Sequence, residues 1–190
     1  MTKNKPEHVS LRIARQLMLS LIFSFSFFLC QSAPEKIDKN KITNPVMQEE
    51  LRTYEREIVR LNYDIIAQQK REEEFEQIYE EWQNKYKEAS KEEQEKLKAQ
   101  VELSRMKAEI EEGKRELLQL KLKERIAHVE LKKATMLSAE STQPLELAPY
   151  ESYHKSTASD VKSQEDDIRK LETKYNELLK ENTNTPGGNL

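Results

Sequence analysis

The sequence predicts an all-α protein: a long coiled-coil helix and a shorter C-terminal helix, with a leader and tether in front and a disordered tail behind. Three observations carry this prediction. Residues 46–143 contain no proline and a single glycine, Gly113, where ordinary frequencies would place about a dozen of the two together. The same stretch is filled with Glu, Lys, Gln, Leu, Ala and Arg, all of which favour helix. Its apolar residues recur at alternating steps of four and three, the period of helices that pack along one stripe.

Composition agrees and narrows the function. Of the 190 residues 35% are charged, 36% hydrophobic and 7% aromatic, too polar for an ordinary compact domain. A disordered chain would share that composition but would have no reason to hold a register. The net charge of −3 comes without a concentrated basic face, so nucleic acid is not an expected partner. The one cysteine, Cys30, leaves no intrachain disulfide and no cysteine-rich metal site.

The first 29 residues read as an export signal. Lys3, Lys5, Arg12 and Arg15 precede an uncharged run from Leu17 through Leu29, shorter than the roughly 20 residues a spanning helix needs. At its end, residues 17–30 resemble a bacterial lipoprotein signal, in which a cysteine following the apolar region becomes the acylated first residue. Phe27, Phe28 and Leu29 stand where that signal usually has a branched aliphatic and two small residues, a looser form similar to that of spirochaete lipoproteins. The resemblance implies lipidation at Cys30 and a membrane anchor facing the periplasm or the cell exterior. The alternatives are a short uncleaved anchor and ordinary cleavage near Ser32 or Ala33. Residues 30–45, with Pro34, Pro45 and a Lys/Asn-rich run between, read as a solvated tether.

From 46 to 136 the long helix is expected. Met47, Leu51, Tyr54, Ile58, Leu61 and Ile65 form a heptad seam, which continues through Gln68 and Glu72 to Phe75, Tyr79, Trp82, Tyr86 and Ala89. Past Ala89 the phase slips. Leu103, Met106, Ile110, Gly113, Leu117 and Leu120 take up a new frame, and Leu118, Leu122, Ile126, Val129 and Met136 a further one. Frame changes of this kind alter supercoiling or mark a bend. An unbroken or gently bent helix, roughly 135 Å long at 1.5 Å per residue, is the favoured arrangement, since no Gly, Pro or Asn marks a turn near Ala89. The other is an antiparallel hairpin folding at Ala89–Ser90, where Ser90-Lys91-Glu92-Glu93 has the Ser-x-x-Glu form of a capping box. In a hairpin the basic-leaning residues 114–133 would lie beside the acidic-leaning residues 47–66.

Residues 137–158, rich in Ser, Thr and Pro, read as a linker. From 159 to 181 a short heptad helix follows, with Val161, Gln164, Ile168, Leu171, Tyr175 and Leu178 on its seam and Ser159 and Asp160 as cap residues. At about 22 residues it is marginal alone, so it should fold back on the long helix or engage another chain. Residues 182–190 read as a frayed tail.

The site expectations follow from this architecture. Phe75, Tyr79, Trp82 and Tyr86 form an aromatic stripe, either a docking patch for a partner or part of a helix-packing seam. Glu124 and His128 could offer two ligands on one helical face, but with His154 in a linker and His8 in the leader no metal site is expected. His128-Val129-Glu130 spells His-x-Glu without the Pro-Cys-x-x-Cys that would complete a zinc deaminase site. No phosphate loop, serine elbow or His-Glu-x-x-His pattern occurs. The expectation is a non-enzymatic envelope protein without cofactor or small-molecule substrate, acting by coiled-coil self-association or partner binding, with a holdase-like role as the alternative.

Overall fold

The computed structural model describes residues 32–142 and 144–183. The expected export leader, Cys30 and residues 184–190 of the expected tail lie outside the described residues. Within them are three long helices, α1 (Pro45–Glu88), α2 (Lys91–Glu140) and α3 (Ala148–Thr183), preceded by a short 3₁₀ turn at Lys39–Lys41; no strand is present among them. The all-α architecture, with long helices and a shorter C-terminal one, is as the sequence predicts.

Of the two arrangements open at Ala89–Ser90, the chain takes the hairpin, not the unbroken rod. Ala89 and Ser90 are both extended, with ψ of 152° and 161°, and two extended residues suffice to reverse the direction. Their φ values of −72° and −64° are open to any residue, which is why the turn needs neither glycine nor proline. Ser90 and Glu93 form the complete capping box, the Ser90 amide donating to the Glu93 carboxylate at 2.9 Å. Gln94 reaches across the turn to the Tyr86 carbonyl at 3.0 Å, satisfying a terminal acceptor that α1 leaves open.

Ion pairs show the antiparallel register. Glu50 meets Lys132 at 3.5 Å and Glu57 meets Arg125 at 3.2 Å, while Glu72 pairs with Arg115. The basic part of α2 thus lies beside the acidic part of α1. Helix α3 folds back along the other side of α2, with Lys121–Glu165 at 2.8 Å and Lys114–Glu172 at 3.2 Å.

This placement explains the changes of frame in α2. One frame, containing Gly113, faces α3, where Gln164 donates to the Gly113 carbonyl and a β-carbon added at Gly113 would come within 3.2 Å of Ile168. The other contains Glu111, Arg115, Arg125 and Val129 and faces α1. At roughly 103° per residue in a 3.5-residue repeat, these two stripes sit about 150° apart. They are two concurrent seams, one for each neighbour, so Leu103, Met106 and Ile110 are buried together with Ala108 and Glu111. By contrast, α1 and α3 each carry a single seam.

Two boundaries differ from the sequence reading. Helix α3 begins at Ala148, not near 159, so only residues 141–147 connect α2 to α3. Pro149 lies in the first turn, where its missing N–H would have had no helical acceptor. The heptad runs back without interruption from Val161 through Thr157, His154 and Tyr150 to Leu147, with Thr157 and Tyr150 buried. Residues 35–44 are likewise no solvated tether. Ile42 is 0% exposed in a core with Leu51, Val129 and Met136, and the segment is bonded on both sides. The Ile37 amide donates to Glu130 at 2.9 Å, Lys133 donates to the Ile37 carbonyl at 3.2 Å, and the Tyr150 hydroxyl donates to the Glu35 carbonyl at 3.0 Å. Two isoleucines spaced among lysines and asparagines hold what composition alone describes as a linker.

Candidate functional site

Three groups of residues stand out from the plain packing: a buried polar layer, the aromatic stripe and a histidine cluster. The seam of α1 faces α2 over its whole length, with Leu51 buried and Ile58, Leu61 and Ile65 half-buried. On α3, Ile168 is buried and Leu171 and Leu178 are half-buried. These seams are satisfied within one chain.

Midway along, the α1 seam turns polar at Gln68 and Glu72. Gln68 is buried and its amide donates both to the Glu111 carbonyl at 3.1 Å and to the Glu111 carboxylate at 2.8 Å. Burial pushes Glu111 up, but hydrogen bonds from Gln68, Lys107 and Lys114 and the charge of Lys107 outweigh it and hold the carboxyl below its ordinary range. On the opposite side of α2, Gln164 donates to the Gly113 carbonyl and to Glu116 at 3.1 Å. One glutamine from each outer helix therefore fixes its register on α2. Glu72 and Arg115 complete the layer as a half-buried ion pair.

Phe75, Tyr79, Trp82 and Tyr86 all lie on the α1 seam and all are half-buried. Lys107 of α2 sits over the Phe75 ring at 5.1 Å, Lys85 covers Trp82 at 4.4 Å, and Gln83 bonds the Tyr79 hydroxyl. The stripe belongs to the intramolecular seam, yet it is incompletely covered. Counting on from Glu172 opposite Lys114, α3 ends opposite roughly residue 100 of α2, since both helices rise about 1.5 Å per residue. Trp82 and Tyr86 thus lie toward the hairpin tip, where only two helices pack and ring edges stay in contact with solvent. Ile78, 40% exposed, adjoins them.

The histidines are brought together in a way that the sequence reading excludes. His154 is on α3, not in a linker, and its Nε2 lies 2.8 Å from Glu124 Oε1 on α2. One turn along α2, the His128 ring stacks at a tilt on His154 with centroids 5.0 Å apart, and Tyr54 of α1 meets His128 edge-on at 5.3 Å. Burial, followed by the neighbouring His154 and Arg125, holds His128 below its ordinary value. Burial and the hydrogen bond to Glu50 raise Tyr54. Glu124, His128 and His154 offer ligand atoms all within 4.8 Å of one another. The available signal was the heptad continuing back through Thr157 and His154, hidden by the reading of residues 137–158 as a linker.

Two hollows open to solvent among the described residues. One of about 170 Å³ lies among Lys39, Asn40, Gln48, Leu51, Arg52 and Glu55, below the roughly 300 Å³ at which small-molecule sites begin. A more open hollow is lined by Lys41, Thr43, Asn44, Leu137 and Glu140. Among the described residues no helix is long and apolar enough to cross a membrane. Comparison of the chain with protein-family models, with curated proteins and with solved structures finds no match.

Proposed function

We propose that this chain is an exported, non-enzymatic structural or adaptor lipoprotein of the bacterial cell envelope, held at a membrane through Cys30 and acting by helix packing against a protein partner or another copy. The observation that carries this reading is the polarity of the helical body. The chain enters it at Glu35, beside the end of α2 and the start of α3, while the incompletely covered aromatics lie toward the far end. A helix of 44 residues separates those ends by roughly 65 Å. Such a body is suited to presenting a contact surface far from Glu35, where the chain enters it. The polar leader, the apolar run and Cys30 support the anchor end; three acyl chains at about 0.8 kcal/mol per buried methylene would make it firm.

Half-covered rings favour a second reading, a periplasmic holdase or assembly factor that grips clients with Trp82 and Tyr86. Replacing both by Ala separates the two: loss of self-association supports the structural role, whereas an intact assembly with lost client capture supports the second. Mass spectrometry of the mature N-terminus tests the anchor. Acylated glyceryl-cysteine at position 30 supports it, and a free N-terminus at Ser32, Ala33 or Pro34 rejects it.

A further inference from the structure

The geometry points to a divalent transition-metal site formed by Glu124, His128 and His154, with Zn²⁺ the cation its donors suit and the α2–α3 contact the element it braces. Two imidazoles and one carboxylate make a mixed nitrogen and oxygen donor set, which zinc accepts in three-ligand sites with water in the fourth position.

The distances are close to what such a site needs. Zinc bonds of about 2.0–2.1 Å in tetrahedral array put ligand atoms roughly 3.3–3.4 Å apart. The three donor atoms already lie within 4.8 Å of one another, so the widest gap closes by at most about 1.5 Å. Rotation of half-buried side chains supplies that without moving a helix. Glu124 and His128 are four residues apart on one face of α2, and His154 comes from α3 directly opposite, held at 2.8 Å from Glu124. All three are half-buried, and so within reach of a cation from solvent.

A simple interhelical hydrogen bond would account for Glu124 and His154, but not for a second imidazole set at a tilt 5.0 Å from the first. A shared cation gives both rings a partner. The surrounding charges permit it: the two α2 cations nearest the cluster, Arg125 and Lys132, are each paired with an α1 carboxylate, Glu57 and Glu50 respectively. Tyr54 donates to Glu50 at 3.0 Å and meets the His128 ring edge-on, which packs that ring against α1.

The test uses the full chain, titrated with Zn²⁺ and with Co²⁺ as a spectroscopic probe. One equivalent should bind with micromolar affinity or better and raise the melting temperature as the metal concentration rises. His128→Ala, His154→Ala and Glu124→Gln should each weaken binding at least tenfold, whereas His8 and Cys30 remain in every variant. Bound Co²⁺ should show the visible bands of a tetrahedral nitrogen and oxygen site without a thiolate charge-transfer band; this readout needs no variant to fold. The site is overturned by affinity unchanged in both histidine variants, by a thiolate band that places the metal on Cys30, or by no binding at a hundredfold molar excess.

Discussion

Ile42 offers the sharpest test of how the body is held at its base. Its side chain is 0% exposed and packs with Leu51, Val129 and Met136, with Met47, Tyr54, Ile58 and Leu137 around them. Ile42→Ala removes three carbons, worth about 2.4 kcal/mol of transfer free energy at ~0.8 kcal/mol each. A residual cavity raises the cost, while relaxation of the preceding segment lowers it, giving about 3 kcal/mol within the usual range of 2–5 for such truncations. That is roughly a hundredfold change in the unfolding equilibrium. Val46→Ala is the control, because Val46 is 78% exposed only four residues away, and its replacement should cost under about 0.5 kcal/mol. Urea denaturation followed by circular dichroism reads both. For a body of this size the melting temperature of the Ile42 variant should fall by about 6–12 °C. If the two variants unfold at the same urea concentration, residues 35–44 are the solvated tether their composition suggests, and the base is not built as described.

Other perturbations probe the turn, the polar layer and the α2–α3 contact. Ser90→Ala removes the cap that starts α2 and should cost about 1 kcal/mol in thermal or chemical denaturation. Glu111 has a folded-state value below its ordinary one, so its contribution to stability is present in full above about pH 4.3 and is lost as pH falls through the depressed folded value. Glu111→Gln should flatten that acid limb of the stability profile. Gly113→Ala should be near neutral, because a gain of about 1 kcal/mol in helix propensity opposes a β-carbon 3.2 Å from Ile168. Gly113→Leu should instead displace α3, read as lost hydrogen-exchange protection across residues 148–183.

The α1 and α3 seams were legible in the sequence because each helix has one neighbour, and one neighbour imposes one stripe. Every seam position from Met47 to Ala89 is at least half-buried. For α2 the same rule misleads, since two neighbours superpose two stripes and the sum looks like a slipping phase. The hairpin was visible only as the Ser90–Glu93 capping box, because extended residues with ordinary φ leave no compositional mark. Pro149 concealed the start of α3, although proline is as much a first-turn residue as a breaker. The histidine cluster was concealed with it: Glu124 and His128 are adjacent in sequence terms, but His154 reaches them only through the register of a helix read there as linker. Ile37 and Ile42 carry too little sequence around them to set a period, so the burial of Ile42 and the half-burial of Ile37 depend wholly on tertiary context.

Because α2 serves both neighbours, the protein should not be divisible into an independent hairpin and an accessory helix. Removal of α3 would uncover the frame that contains Leu103, Met106, Ile110, Leu117 and Ala127, of which Leu103, Met106, Ile110 and Ala127 are buried in the complete body. A contiguous apolar stripe of that length on a two-helix rod is a strong site of association. A chain ended after residue 141 should therefore keep its helicity but associate in a concentration-dependent way, as sedimentation velocity would show, and an added α3 peptide should reverse it. Monomeric behaviour of the truncated chain would mean that α3 contributes little burial. The two-seam account of α2 would then have to give way to a single continuous seam with a bend.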